Sequence, residues 1–148
     1  MWASGFHGFN YFDDVRILDY VPFNTPLFWD SFENGLGHWT VFNGTPGTDD
    51  AHAFSGTLSY ATDEDRDAIQ TTFRPAVTGK VAVIRFYDDA SDTSLTPHAF
   101  VDNGVNVVAI GVNSAVSATH YVYRIGATTA VSSVARSTGW HTFALDYR

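Results

Sequence analysis

The sequence predicts an all-β protein, built as an antiparallel sandwich or barrel, and three observations support that fold class. Only 16% of the residues are charged while another 16% are aromatic, a balance that favours strands over helices. About eleven short segments rich in β-forming residues recur at regular spacing with turn residues between them, which is typical of sandwiches and barrels. No stretch keeps apolar residues at helical spacing over three turns.

The elements follow from alternation and from turn residues. The most apolar run, KVAVIRFY at 80–87, is predicted to be a central strand. In the first strand, Phe9, Tyr11, Val15 and Ile17 are expected to share one face, which Asp13 interrupts. The sequence NGTPGTDD at 43–50 is predicted to be a loop by composition. The predicted strands are 9–18, 27–32, 38–42, 57–62, 68–73, 80–87, 98–102, 105–112, 119–125, 130–136 and 140–147.

Length and charge limit the number of domains and the classes of ligand that we expect. A chain of 148 residues suits a single domain, 1–148, with its own core. The formal net charge is −8 and Lys80 is the sole lysine, which argues against nucleic acid and against anionic membrane surfaces. Neutral ligands or cations remain open. The chain has no cysteine, so disulfides and thiolate chemistry are excluded.

The termini and apolar runs bear on the compartment. No apolar run approaches about 18 residues, so we expect no membrane insertion. The N-terminal sequence MWASGF lacks a basic region followed by an apolar core, so it does not read as a signal peptide. The expectation is either a protein that is not secreted by itself or a piece of a longer secreted chain.

Four short segments resemble extracellular β-sandwich modules of the concanavalin/laminin-G-like and jelly-roll carbohydrate-binding type. They are FENG at 32–35 followed by Trp39, FSGTLS at 54–59, GWHTFALDY at 139–147 and FDDVRI at 12–17. The resemblance implies an antiparallel β-sandwich of jelly-roll type. It also implies an extracellular or cell-surface location and a glycan or cell-surface polymer as partner.

The order of these segments departs from the family pattern. The stretch 1–20 resembles the family's closing strand, yet it opens this chain, while 27–148 resembles the rest of the module. The family's strand after GWHTF has no counterpart before Arg148. A sandwich that lacks an interior strand exposes unpaired backbone groups. The Asp13–Asp14 strand is therefore expected to complete either its own sandwich or that of a neighbour, by strand exchange in a homo-oligomer.

The resemblance also implies a structural calcium ion. In the family, the last and first strands are adjacent and often hold Ca²⁺, with a glutamate at the position of Glu33 and an aspartate at that of Asp13 or Asp14. Calcium prefers six to eight oxygen ligands, several of them carboxylates. The predicted metal ligands are Asp13, Asp14, Asp30 and Glu33. The alternative is that these carboxylates are solvated at a strand edge.

Neutral glycans are bound by aromatic faces together with a few hydrogen-bonding side chains. Arg85 and Arg124 each stand within an otherwise apolar strand. Charged side chains are uncommon at such positions, so these two are candidates for a functional role. The alternative for the aromatic residues is that they fill the core. Trp2, Trp29 and His38 are further candidates in loops. The predicted ligand-binding residues, expected on one sheet, are Arg85, Tyr87, His98, Tyr121, Tyr123, Arg124 and Trp140.

Catalytic patterns are weak in this sequence. Glycosidases need a pair of carboxyl groups at a defined separation, and the chain has only two glutamates, Glu33 and Glu64, neither in an alternating pair on a strand. No HExxH, nucleophile elbow or phosphate-loop motif occurs. We therefore expect a non-catalytic binding module. The rival hypothesis is a self-assembling structural subunit of a filament or surface layer, built by strand donation.

Overall fold

The computed structural model describes residues 2–5, 10–19, 26–62, 67–72, 80–93, 97–102 and 104–147. Within them the chain forms strands joined by turns, and no helix is long and apolar enough to cross a membrane. The strands are β1 (Trp2–Gly5), β2 (Asn10–Asp19), β3 (Phe28–Asp30), β4 (Thr40–Asn43), β5 (Gly47–Asp49), β6 (Ser59–Thr62), β7 (Asp67–Gln70), β8 (Lys80–Asp88), β9 (His98–Asp102), β10 (Val107–Asn113), β11 (Ser117–Ile125), β12 (Thr128–Ala135) and β13 (Gly139–Tyr147).

The strands form two antiparallel sheets that enclose one core. The seven-stranded sheet has the order β12-β11-β10-β9-β1-β7-β4, and the six-stranded sheet has the order β13-β8-β2-β6-β5, with β3 paired to β2. Phe12, Tyr60 and Phe86 of the six-stranded sheet share one buried cluster with Ile69 and Val112 of the seven-stranded sheet, each no more than 2% exposed. The predicted all-β antiparallel sandwich is confirmed, and the jelly-roll type stays a prediction.

Strand β8 has the central position that its apolar sequence predicts. It pairs with β13 on one side and β2 on the other. Ala82, Ile84 and Phe86 are buried, while Val83 and Arg85 between them are half-buried. The core-facing side chains each contribute about 1.5–3 kcal/mol when fully buried, alanine less. Arg85 therefore points away from the core, onto the outer face of this sheet.

The predicted face of β2 is wrong, because the strand contains a β-bulge. Phe12 and Val15 are both 2% exposed and face the core, although an odd spacing separates them. The pairing to β8 shifts between Asp13 and Arg16, and Asp14 has a φ of 47°. One extra residue reverses the alternation that follows it. Tyr11 and Asp13 therefore lie on the outer face, where they pair with Tyr87 and Arg85.

Two strands are absent from the sequence prediction. Strand β1 lies between β7 and β9, and its sequence WASG shows no alternation. Strand β5, with the sequence GTD, falls in the predicted loop 43–50 and pairs with β6. Pairing with a neighbouring strand overrides weak local propensity in both cases, and for β1 that neighbour lies more than 60 residues away.

Strand β2 completes the sandwich of its own chain. It lies between β8 and β6 in the six-stranded sheet, and β8 pairs with it on both sides of the bulge. Among the described residues β2 thus pairs with strands of its own chain, and strand exchange in a homo-oligomer stays a prediction.

Candidate binding faces

The predicted ligand-binding residues do not share one sheet, so that expectation is wrong. Arg85 and Tyr87 of β8 and Trp140 of β13 belong to the six-stranded sheet, whereas His98 of β9 and Arg124 of β11 belong to the seven-stranded sheet. Alternation along a strand indicates which residues share a face of that strand. It does not indicate to which of two sheets the strand belongs.

The two predicted tyrosines of β11 differ in their exposure. Tyr121 is buried, with its ring centroid 5.2 Å from that of Phe143. Burial, and next the Asp88 carboxylate, raise the pKa of the Tyr121 hydroxyl. Tyr123 is in register with Ile110, which packs against the core, yet it is 38% exposed and contributes to the lining of the groove described next. The alternative role, filling the core, applies to Tyr121.

The outer face of the seven-stranded sheet carries a groove of about 500 Å³. A row of residues in register crosses four strands along it: Phe100 of β9 pairs with Ala109 of β10, Ala109 with Arg124 of β11, and Arg124 with Thr129 of β12. The groove thus sets an aromatic ring beside a short side chain, a guanidinium group and a hydroxyl. His98 and Asp102 also line it.

The polar and aromatic groups of the groove have fixed neighbours. The Nε of Arg124 donates to the carbonyl of Gly126 at 2.7 Å, and Asp102 accepts from the backbone N–H of Gly104 at 2.7 Å. The rings of His98 and Phe100 are stacked, with centroids 6.0 Å apart and 22° between their planes. The groove is therefore a largely apolar surface with a few oriented polar groups, as ligand sites usually are.

Gly111 forms the floor of the groove beside His98. A Cβ at this position would lie 2.3 Å from the carbonyl oxygen of Pro97 and 2.5 Å from the Cα of His98. The backbone of β10 therefore approaches that of β9 more closely than any other residue allows. The adjacent N–H of Val112 donates to the Pro97 carbonyl at 2.7 Å.

The outer face of the six-stranded sheet carries a second group of exposed aromatic side chains. The Arg85 guanidinium lies 4.4 Å from the ring centroid of Phe54, and Phe54 meets Trp140 edge to face at 5.7 Å. Asp14 accepts hydrogen bonds from the indole N–H of Trp29 at 2.8 Å and from the Nε of Arg16 at 2.7 Å. We call Trp29, Phe54, Arg85 and Trp140 the aromatic platform.

Residues 50–58, here called the strap, cross this outer face. The ring of His52 stacks on that of Tyr87 at 3.8 Å with 14° between their planes, and it meets Tyr11 at 4.9 Å. Phe54 brings the strap onto Arg85 and Trp140. The sequence does not predict binding roles for His52 and Phe54, because both lie between the predicted strands 38–42 and 57–62. Their one sequence signal is that they are ring side chains among small residues, in AHAFSG at 51–56.

Two of the predicted metal ligands hold the strap. Asp13 Oδ2 accepts from the backbone N–H groups of Phe54 and Ser55, both at 2.8 Å. Glu33 accepts from the N–H groups of Thr57 at 3.0 Å and Leu58 at 2.7 Å. Burial raises the pKa of Asp13, against the lowering effect of its backbone hydrogen bonds. The backbone N–H groups of Leu58 and then Thr57 lower the pKa of Glu33.

The other two predicted metal ligands hold tryptophan side chains. Asp30 accepts from the indole N–H of Trp39 at 2.8 Å and from the backbone N–H of Phe32 at 2.8 Å, with the His38 ring nitrogen 3.2 Å away. Asp14 holds Trp29 in the same way. Each carboxylate thus fixes the edge of an indole ring.

These four carboxylates do not fit a shared calcium ion. Each of them faces N–H donors, and Asp14 also faces two guanidinium groups, whose charge repels a cation. Within the described stretches of the chain, no group of three or more histidine or acidic side chains could hold a metal ion. The contacts of these carboxylates thus give the predicted calcium site no support, and no role is built on it.

The remaining candidates lie in different places. Trp2 is in backbone register with Phe100, next to the groove, and its side chain lies outside the described residues. His38 is exposed beside Asp30.

No family model matches the chain, and neither does any curated protein or any solved structure compared with it.

Proposed function

We propose that the protein is a non-catalytic module that binds a neutral glycan in the groove of the seven-stranded sheet. The observation that supports this most directly is the row in register that runs from Phe100 through Ala109 to Arg124 and Thr129. A sugar ring presents an apolar face and a rim of hydroxyl groups. Phe100 supplies the matching ring surface, and Arg124 and Thr129 supply donors at its side.

The charges that line the groove favour an uncharged ligand. One carboxylate, Asp102, and one guanidinium, Arg124, border it, so their charges offset each other. The chain as a whole carries −8, which repels a polyanion at long range. Because polysaccharides of this kind lie outside the cell or at its surface, we place the protein there as part of the same proposal.

Binding to soluble neutral polysaccharides tests the proposal. Affinity electrophoresis through gels that contain dextran, mannan, xylan or β-glucan is followed by calorimetry on any polymer that retards the protein. We expect Phe100→Ala and Arg124→Ala each to weaken binding by about tenfold or more, as loss of a central contact does. Val116→Ala, in the exposed turn between β10 and β11, is the control. Retention that Phe100→Ala and Arg124→Ala leave unchanged would contradict the role of the groove.

Self-assembly is a second candidate function, favoured by one observation. Strand β12 lies at the edge of the seven-stranded sheet and carries the exposed side chains of Val131 and Val134. An exposed apolar edge strand is a template for pairing with another chain. Light scattering over a hundredfold range of protein concentration tests it. Growth in mass that Val134→Lys abolishes would support self-assembly, and a constant monomer mass would contradict it.

A further inference from the structure

We propose that the aromatic platform on the six-stranded sheet is a second site for neutral glycan, so that one molecule bridges two polysaccharide chains. The class of ligand rests on the function proposed for the groove, but the platform is argued from its own contacts. The two sites lie on the outer faces of the two sheets, with the core between them. Face-to-face sheets are about 10 Å apart, so no single sugar can touch both sites.

The platform is continuous. The Asp14 carboxylate links Trp29, whose indole N–H it accepts at 2.8 Å, to Arg85, whose Nε lies 3.6 Å away. From Arg85 the surface continues over Phe54 at 4.4 Å to Trp140. Trp29 is 50% exposed and Phe54 is 44% exposed. Single exposed apolar side chains are ordinary, but a contiguous set on one face marks an interaction site.

Arg85 carries guanidinium donors that no acceptor among the described residues engages. Within the described part of the chain, the sole polar contact of its guanidinium is the 3.6 Å approach of Nε to Asp14, which is too long for a hydrogen bond. The group is held in place by Phe54, and its side chain is 28% exposed. Its terminal nitrogens therefore form a fixed fork that matches pairs of acceptor oxygens, such as neighbouring sugar hydroxyls.

The charge on this face selects neutral sugars over acidic ones. Arg16 and Arg85 carry two positive charges, and Asp13 and Asp14 beside them carry two negative charges. Burial, and next the nearby Asp49 carboxylate, raise the pKa of the Tyr11 hydroxyl on this face. The positive charges are therefore offset by carboxylates, so an anionic sugar gains no net attraction. Aromatic rings with a hydrogen-bonding fork at their centre instead fit the apolar face and hydroxyl rim of an uncharged pyranose.

The experiment separates binding from bridging. Monomeric protein, checked by light scattering, is mixed with a soluble neutral polysaccharide that it binds, and turbidity and retention are measured together. We expect the wild-type protein to precipitate the polymer. Trp140→Ala and Arg85→Gln should keep retention through the groove within about tenfold of the wild type, yet should no longer precipitate the polymer. Alginate and dextran sulfate serve as anionic probes, and we expect neither to precipitate.

Each outcome distinguishes the two proposals. If Trp140→Ala and Arg85→Gln precipitate the polymer like the control Val116→Ala, the platform proposal is wrong and the groove proposal stands. If Phe100→Ala has no effect while the platform variants lose all retention, the groove proposal is wrong and the platform is the sole site. If no neutral polymer is retained by wild-type protein, both are wrong. Thermal unfolding of each variant confirms its fold, and Arg85→Gln stands in should Trp140→Ala unfold.

Discussion

The guanidinium of Arg136 meets the carboxylate of Asp88 through two hydrogen bonds, Nε to Oδ2 at 3.0 Å and Nη2 to Oδ1 at 2.7 Å. Their side chains are 1% and 0% exposed. Asp88 ends β8 in the six-stranded sheet, and Arg136 follows β12 in the seven-stranded sheet, so the pair joins the two sheets. Nη1 also donates to the carbonyl oxygen of Ala118, and Nη2 to those of Asp89 and Asp92.

Replacing Arg136 by Met is expected to lower the free energy of unfolding by about 3–5 kcal/mol, because it leaves the Asp88 charge buried and unpaired. The double variant Asp88→Leu with Arg136→Met should recover part of that loss, since no isolated charge remains. Urea unfolding measures both. Arg124→Met is the matched control on the surface, expected to change stability by about 0.5 kcal/mol or less. Equal stability of the Arg136 and Arg124 variants would contradict the sheet-joining role.

Removing the acceptor at Asp13 is expected to loosen the strap. Asp13→Ala leaves the N–H groups of Phe54 and Ser55 without their partner, which costs about 1–3 kcal/mol. It should also speed proteolysis within residues 50–58. Asp49→Ala is the control, since Asp49 accepts a single N–H two residues ahead, that of Ala51. A strap that is cut no faster in Asp13→Ala than in Asp49→Ala would show that the rings alone hold it.

The two strap-holding carboxylates give opposite pH dependences. Burial raises the pKa of Asp13 above its ordinary value of 3.8, so the native state binds the proton more tightly. Stability therefore falls as the pH rises from 3.8 through the native pKa. Backbone hydrogen bonds lower the pKa of Glu33 below 4.5, so its stabilisation is present above 4.5 and is lost as the pH falls through the native pKa.

Urea unfolding between pH 2.5 and 7 checks these directions. Asp13→Asn should remove the fall in stability above pH 3.8, and Glu33→Gln should remove the loss on the acid side of 4.5. The two difference curves against the wild type thus have slopes of opposite sign. Slopes of the same sign would show that one assignment is wrong.

The hydrogen bonds that the four acidic side chains accept predict little response to calcium. Since Asp13, Asp14, Asp30 and Glu33 face N–H donors, we expect calcium or a chelator to leave the melting temperature within about 2 °C, a change that corresponds to about 0.5–1 kcal/mol for a chain of this length. Magnesium at the same ionic strength is the control. A rise with calcium alone that Glu33→Gln removes would restore the predicted calcium site.

The sequence predicts most strands because the strands that form the core alternate regularly. In β8, Ala82, Ile84 and Phe86 face inward at every second position, and no distant contact is needed to see it. In β2 the bulge at Asp14 breaks this rule. Asp14 there accepts the side-chain N–H groups of Trp29 and Arg16, and the Trp29 contact spans 15 residues. No alternation pattern contains that information.

The sequence predicts some of the individual residues of the candidate sites, but it does not predict which of them lie together. Arg85 and Arg124 stand out because each interrupts an apolar strand, and both do lie on outer faces. That they lie on opposite sheets depends on strand order, which is set by pairings between distant segments. The same limit applies to Asp13 and Glu33, which the family resemblance predicts to be ligands of one calcium ion. Both hold the strap, through hydrogen bonds to residues 24 to 42 positions away.

Gly111→Ala is expected to damage fold and groove together. The added Cβ would lie 2.3 Å from the Pro97 carbonyl oxygen, a backbone atom that cannot swing aside as the end of a side chain can. Strand β10 must move away from β9, which strains the hydrogen bond from Val112 to Pro97. Overpacking of this kind costs about 1–3 kcal/mol, and we expect glycan binding in the groove to weaken with it.

The comparison with a second glycine isolates this effect. Gly47→Ala in the exposed strand β5 meets no atom within 4 Å, so it should leave stability unchanged or raise it by a few tenths of a kcal/mol, up to about 1 kcal/mol. Urea unfolding and affinity electrophoresis of both variants are read side by side. If Gly111→Ala is as stable as Gly47→Ala and binds glycan normally, the close approach of β9 and β10 does not shape the groove. If it unfolds at lower urea and its glycan retention falls below that of Gly47→Ala, the close approach at Gly111 shapes the groove.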